Sequence, residues 1–347
     1  MLGLDIIHAD YQITELQGGS VGEVHLVEGI AKAVNGETLS YKVVLKTQDK
    51  WPRPGDPDSW RREYDLYASD LGEVLPEDFR WPKCYHAELE GDEIQIWMEY
   101  VEGVSGLDLT TEMLEEAAYK IGQFQGRIYK FELKNLSNFG DTGYLKRHYQ
   151  QWHNQEYSYE QLVSVDCPIS DELKQALKDG KIVMCGKSLE YSYLRSQECN
   201  IPEHLKQMIF DIDDNMDTLF DEMDKLPIVL CHRDYWNENI IYANGKFRLI
   251  DWDTTGWGYL GEDLATLISD DVDYDKFEEF CRRLIPAYYK GISEFMDISS
   301  LHKNFIREMI LIIFGYRMVE EHMFADNDED RAEQVQKLEK IFYLQCP

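Results

Sequence analysis

The chain has 347 residues, 44% hydrophobic and 29% charged, enough apolar material for about two core units. Its 66 acidic against 35 basic residues give a formal net charge of −31, the reverse of what a phosphate backbone requires, so nucleic acid is excluded as a partner and a cationic small molecule is permitted. No run approaches the ~20 apolar residues of a membrane span, and "MLGLDIIHAD" lacks a basic region ahead of an apolar one. A cytoplasmic protein with no membrane partner is expected; its oligomeric state is left open. Seven cysteines (84, 167, 185, 199, 231, 281 and 346) show neither C-x-x-C pairs nor the density of a disulfide scaffold, which fits a reducing compartment and gives no expectation of zinc.

In chain order, "LQGGSVGEV" (16–24) comes first, with Gly19, Ser20, Gly22 and Val24 at the offsets of a glycine-rich loop. Absent side chains there let backbone N–H groups approach phosphate oxygens. Val24 to Val34, the pair Asn35-Gly36 and Thr38 to Thr47 predict a hairpin. On its returning strand Val44 and Lys46 share one face by the two-residue alternation. Asp56-Pro57 predicts a helix start as cap and first-turn proline, and Gly72 its end. Trp60, Tyr64, Tyr67 and Leu71 form its inward stripe, with Glu63 on the edge as a candidate anion for Lys46. "EIQIWMEYVEG" then reads as an apolar strand running into Gly103 and Gly106, with Met98, Glu99 and Val101 at its exit.

Residues 110–130 read as a long helix with Leu114, Ala118, Ile121 and Phe124 at helical spacing, followed by mostly helical, aromatic-rich sequence to 226. Within it "DIDDNMDTLFDE" (211–222) approaches calcium-loop offsets, but Met216 holds the sixth position, where the sharp turn requires glycine. Ile209, Ile212, Met216, Leu219 and Met223 instead trace a helix.

"VLCHRDYWNENIIYANGKFRLIDWD" (229–253) carries the chemistry. Asn244-Gly245 suits a two-residue type I′ turn between Ile240–Ala243 and Lys246–Asp251. Ala243 then faces Lys246, Tyr242 faces Phe247, and Asn239 falls opposite Ile250 with Asp251 one step on. Asp234, five residues before Asn239, can join them, and such hard oxygen ligands suit Mg²⁺. The spacing His232-Arg233-Asp234, four residues, Asn239 is that of a phosphotransferase catalytic loop, with Asp251 as the second metal ligand.

Taken in order, Gly19 to Val24, Lys46, Glu63, Met98 to Val101, His232 to Asn239, Asp251 and "GEDLATL" (261–267) resemble the kinase-like small-molecule phosphotransferases, the group containing aminoglycoside phosphotransferases and choline kinases. Arg233 departs from that group, which commonly has glycine there, and Gln17 replaces a loop glycine. The resemblance implies an α+β, bilobal, protein-kinase-like fold. Residues 1–97 would form a small antiparallel-sheet lobe, 98–104 a hinge and 105–347 a larger, mostly helical lobe with a substrate-shaping insert.

It further implies ATP and Mg²⁺ as cofactors and a small-molecule alcohol as acceptor, aminoglycoside-, choline- or sugar-like. Asp234 would be catalytic and Asn239 and Asp251 the metal ligands. Gly19, Ser20, Gly22, Val24, Val44, Lys46, Glu63, Met98, Glu99 and Val101 would meet the nucleotide, and His232 would brace the loop. A protein kinase would need a long activation segment and a Phe-Gly after the metal aspartate, but Trp252-Asp253 follows here and nine residues lead to "GEDLATL". A non-catalytic nucleotide-binding protein of the same fold would be expected to have lost a catalytic group, and none is lost. The acidic runs 269–275 and 325–330 read as solvated surface. Trp236, Trp252, Trp257 and Tyr259 read either as packing or as a cage for a cation.

Overall fold

A computed structural model describes residues 3–16, 22–53, 56–73, 75–130, 139–165, 167–302 and 304–345. Strand β1 (Ile6–Glu15) is an edge strand exposed along its whole length, so no buried-face alternation marks it in the sequence. It pairs antiparallel with β2 (Glu23–Ala33), which pairs with β3 (Thr38–Asp49) through the Asn35-Gly36 turn, with Gly36 at φ +86°. Phe79–Arg80 forms the short β4, and β5 (Cys84–Glu90) and β6 (Glu93–Glu99) complete a five-stranded sheet in the order β1-β2-β3-β6-β5.

The chain divides into two compact units. One comprises 1–117, 130–140 and 232–256, and the other 118–129, 141–231 and 257–347. The first is discontinuous in sequence because the catalytic-loop segment belongs to it, whereas the expected divisions at 97 and 104 run continuously along the chain.

In the first unit Trp60, Ile94, Ile96 and Met98 form a buried cluster, with Val44, Tyr64 and Tyr67 packed on it. The helix carrying Tyr64 and Tyr67 is shorter than its sequence predicts: a 3₁₀ turn, Ser59–Arg61, leads into α1 (Arg62–Ala68), which stops where Ser69 turns extended. Asp56 is not its cap. That carboxylate is turned inward to a two-pronged pair with Arg62, one arm at 2.8 Å, and both residues are buried. A guanidinium fork satisfies both carboxylate oxygens at once, which outweighs a single capping bond.

The 240–249 hairpin has the expected register, Tyr242 opposite Phe247 and Ala243 opposite Lys246, and positive φ at both Asn244 (53°) and Gly245 (77°) defines the I′ turn. Its second strand pairs parallel with β4, Phe247 against Phe79. Tyr242 exchanges backbone bonds with Val104 at 2.8 and 3.0 Å, which ties the hairpin to the segment leaving β6. Beneath lie Phe79, Trp81, Phe247 and Trp252, all buried.

Helix α2 (Thr111–Lys130) buries Leu114, Ala118, Ile121 and Phe124 as expected. The second unit is helical: α3 (Tyr144–Asn154), α4 (Tyr159–Ser164), α5 (Asp171–Lys178), α6 (Gly186–Leu194), α7 (Glu203–Asp214), α8 (Met216–Met223), α9 (Glu262–Ser269), α10 (Tyr274–Ser293), α11 (Phe305–Ile310), α12 (Tyr316–Phe324) and α13 (Asp328–Phe342). The helix expected across 211–222 is two helices, because Asn215 leaves helical geometry (φ −108°, ψ 16°) and its side chain donates to the Asp211 carbonyl at 2.8 Å. Ile209, Met216 and Met223 are still buried. The acidic run 325–330 is a helix start, with Asn327 capping α13 and three acids in the first turn, where the helix dipole favours negative charge. In "GEDLATL", Glu262 accepts the Tyr259 N–H at 2.7 Å and Asp263 accepts Gln125 Nε2 at 2.8 Å. Among the described residues no helix is long and apolar enough to cross a membrane.

The Asp56–Arg62 pair gives a test of the first unit. Arg62→Ala leaves a buried carboxylate without its guanidinium and is expected to cost about 3–5 kcal/mol in urea unfolding. A loss below about 1 kcal/mol would place the pair among weak surface contacts.

Candidate active site

Lys46 on β3 is 8% exposed. Its Nζ lies 2.7 Å from Glu63 Oε2 on α1 and 2.9 Å from Asp251 Oδ1 just past the hairpin. Burial acts to pull the ammonium down, but the two carboxylates outweigh it and hold Lys46 above its ordinary value. Burial likewise acts to raise Asp251, and the Lys46 charge overrides it, so Asp251 stays below the usual carboxylate range. Neighbouring Asp253 is pushed up to about 6, first by burial and then by the Asp251 charge, and takes Arg53 Nη2 at 2.8 Å.

The catalytic-loop segment closes on itself. Asn239 donates its amide N–H groups to the Asp234 carbonyl (2.9 Å) and to Asp234 Oδ2 (2.8 Å), which fixes the carboxylate's orientation. The backbone N–H of Ile250 donates to the Asn239 carbonyl at 3.1 Å, the cross-strand placement expected from the turn. His232 is fully buried, and burial pushes it down to about 4, so it is neutral near pH 7. Its Nε2–H donates to the Ile250 carbonyl at 2.9 Å. Thr254 adds a hydroxyl bond to the His232 carbonyl at 2.8 Å.

Arg233 adopts φ +68°, the left-handed region where glycine is at ease, which accounts physically for the glycine common at this position in the resembled family. Its guanidinium lies against Gly140 and Gly256, where an added Cβ would come within 2.5 and 2.3 Å of Nη1. Two glycines far apart in sequence thus make the room that one arginine takes.

A cavity of about 540 Å³ gathers these groups. Lys46, Glu63, Asp234, Asn239 and Asp251 line it, together with Val24, Val44, Met98, Glu99 and Val101. Gly22 sits at the end of the glycine-rich stretch at φ +83°, where an added Cβ would stand 2.5 Å from the Thr47 carbonyl. Gly19 and Ser20 lie outside the described residues. Sequence reasoning missed Leu16, Pro82, Tyr100, Glu238, Ile241 and Ile250 as lining residues. Ile241 carried a signal, since it stands two residues beyond Asn239 on one strand face. Of the four aromatics that could have formed a cage, Trp236 lines this cavity, whereas Trp252 and Tyr259 are buried, their polar atoms bonded to Leu249 (2.8 Å) and Asp224 (2.6 Å).

Mg²⁺ fits the donor set. Asn239 spends its amide N–H groups on Asp234, which leaves its oxygen, together with the Asp251 carboxylate, as hard donors on one cavity wall.

A strand lysine paired to a helix glutamate, with an HRD-type loop and a following aspartate around one cavity, defines the kinase-like class of phosphotransferase. The profile described as "Phosphotransferase enzyme family" matches residues 44–295, and the chain belongs to that family. Among solved structures it is similar in fold to a microcompartment-associated aminopropanol kinase (12% identity, TM-score 0.52, 96% of this chain and 90% of that one). It is likewise similar to a choline kinase from Cryptosporidium parvum (15%, 0.50, 96% and 89%) and to the aminoglycoside phosphotransferase APH(2'')-Ib with ADP bound (17%, 0.50, 97% and 95%). In sequence it is 33% identical to human ethanolamine kinase 1 over 78 residues, 20% of this chain and 17% of that protein's length.

The buried neutral His232 makes stability depend on pH. Its folded value of about 4 lies below the ordinary ~6.5, so its contribution is fully present above ~6.5 and is lost as pH falls toward 4. Between pH 7 and 5 this group is expected to cost about 2 kcal/mol. Urea unfolding of the wild type and of His232→Gln at both pH values measures it: the variant's fall should be smaller by about that amount, and an equal fall would remove His232 from the account.

Proposed function

We propose that the chain transfers the γ-phosphoryl group of ATP to a hydroxyl of a small, amine-bearing molecule. The observation that carries this reading is the convergence of the Lys46–Glu63–Asp251 cluster and the Asp234–Asn239 pair on one cavity. Phosphoryl transfer rests on positioning and charge stabilisation, and each group has a part in it.

Lys46, steadied by Glu63, meets the α and β phosphates. Val24, Val44 and Met98 offer apolar contact to the adenine. The Glu99 N–H is already donated to the Lys83 carbonyl at 2.9 Å, so adenine recognition falls to the Glu99 carbonyl and the Val101 N–H. Asn239 and Asp251 would hold Mg²⁺, which when bound would neutralise phosphate charge. Asp234, oriented by Asn239, aligns the acceptor hydroxyl and receives its proton. Trp236 and Glu238, one aromatic face and one carboxylate on the cavity wall, suit a protonated or quaternary amine. The net charge of −31 and the ethanolamine kinase similarity support an amine-bearing acceptor.

ATP consumption is to be measured with ethanolamine, choline, aminopropanol, aminoglycosides and, as uncharged controls, sugars. Asp234→Asn should bind ATP within a few-fold of wild type by calorimetry while transferring phosphate at least ~100-fold more slowly, since an amide cannot take the proton. Asp251→Asn should lose Mg²⁺-dependent ATP binding as well. If Asp234→Asn turns over normally, or loses ATP binding while folded, the role of Asp234 is wrong.

A further inference from the structure

We propose that His153, Glu190 and Asp213 form a binding site for a divalent first-row transition metal ion in the helical unit. The three stand on α3, α6 and α7, and each offers one ligand atom within 4.8 Å of the other two. His153 Nε2 and Asp213 Oδ1 are 2.9 Å apart and share a hydrogen bond, whose proton a bound ion would replace. His153 Nδ1 lies 2.8 Å from the Tyr149 carbonyl. A ring N–H spent on a backbone carbonyl is the outer contact that turns the other nitrogen of a metal-bound histidine toward the ion.

Glu190 is the observation that asks for a ligand. Its residue is 3% exposed, and among the described residues neither carboxylate oxygen has a hydrogen-bond partner. A buried carboxyl group without a partner is costly and is rarely tolerated. Asp213, its side chain 3% exposed, shares its Oδ1 with His153 Nε2, but its Oδ2 is met only by Lys187 Nζ at 3.9 Å. A dication answers both carboxylates at once, and the imidazole nitrogen favours a transition ion over Mg²⁺ or Ca²⁺. Access exists, since an open cavity of about 300 Å³ is lined by His153 and Asp213 beside Lys187 and Asn215. The absence of C-x-x-C pairs spoke against thiolate-held zinc, but the donors here are nitrogen and oxygen. An ion at this point would staple three helices.

The full chain, stripped with a chelator and free of nucleotide, is to be titrated with zinc chloride in a calorimeter, with magnesium and calcium chloride as controls. The expected result is a zinc equivalent that raises the thermal midpoint and binds at least ~10-fold more weakly in His153→Gln, Glu190→Gln and Asp213→Asn. Any one folded variant decides this. Should none fold, zinc anomalous scattering from wild-type crystals locates the ion. No zinc on the folded wild type, unchanged binding in the variants, equal binding of magnesium or calcium, or an ion located elsewhere overturns the proposal.

Discussion

A buried ammonium must be met by anions or surrender its charge, and Lys46 is met twice, by Glu63 at 2.7 Å and by Asp251 at 2.9 Å. The three residues come from a sheet strand, a short helix and the far end of a hairpin. Each element must therefore sit accurately enough for side-chain oxygens to reach one nitrogen. The apolar cluster of Trp60, Ile94, Ile96 and Met98 sets helix against sheet, and the Tyr242–Val104 backbone bonds set hairpin against the chain leaving β6. Much of the architecture of the first unit can be understood as what holds those three groups together.

Part of the catalytic-loop segment's polar bonding is internal. Asn239 holds Asp234, His232 and Ile250 join the two arms, and Thr254 closes the base. Besides the turn residue Asn244, Arg233 and Asp251 sit at positive φ without being glycine, a backbone cost of the order of 1–3 kcal/mol each that surrounding contacts must offset. One of these residues precedes Asp234 and the other is Asp251 itself. Loops bearing reactive groups commonly store strain in this way.

The buried acids of the two candidate sites differ in their partners. In and around the first, each of Asp56, Asp253 and Asp251 has a basic partner within 2.9 Å. In the second, Glu190 has none among the described residues, and Asp213 has a histidine and a distant lysine. Burial without a partner is an instruction to look for a ligand, and pairing is an instruction to look for a framework.

What could be read from sequence was local. The turn pairs Asn35-Gly36 and Asn244-Gly245 determine hairpins because few residues tolerate positive φ. Once those turns are placed, strand alternation carries Lys46 onto the face of Val44 and brings Asn239 opposite Ile250. Chain order of lysine, glutamate, HRD loop and aspartate pointed to residues that the fold gathers on one cavity.

What tertiary structure decided was long-range and two-sided. Asp56 looked like a helix cap until Arg62 proved to be inside with it, and the 211–222 helix looked continuous until Asn215 took its own backbone bond. The room for Arg233 comes from Gly140 and Gly256, and the meeting of His153, Glu190 and Asp213 comes from the packing of three helices. No periodicity records such meetings, because each partner's local sequence is satisfied without the other and only the folded core brings them within reach.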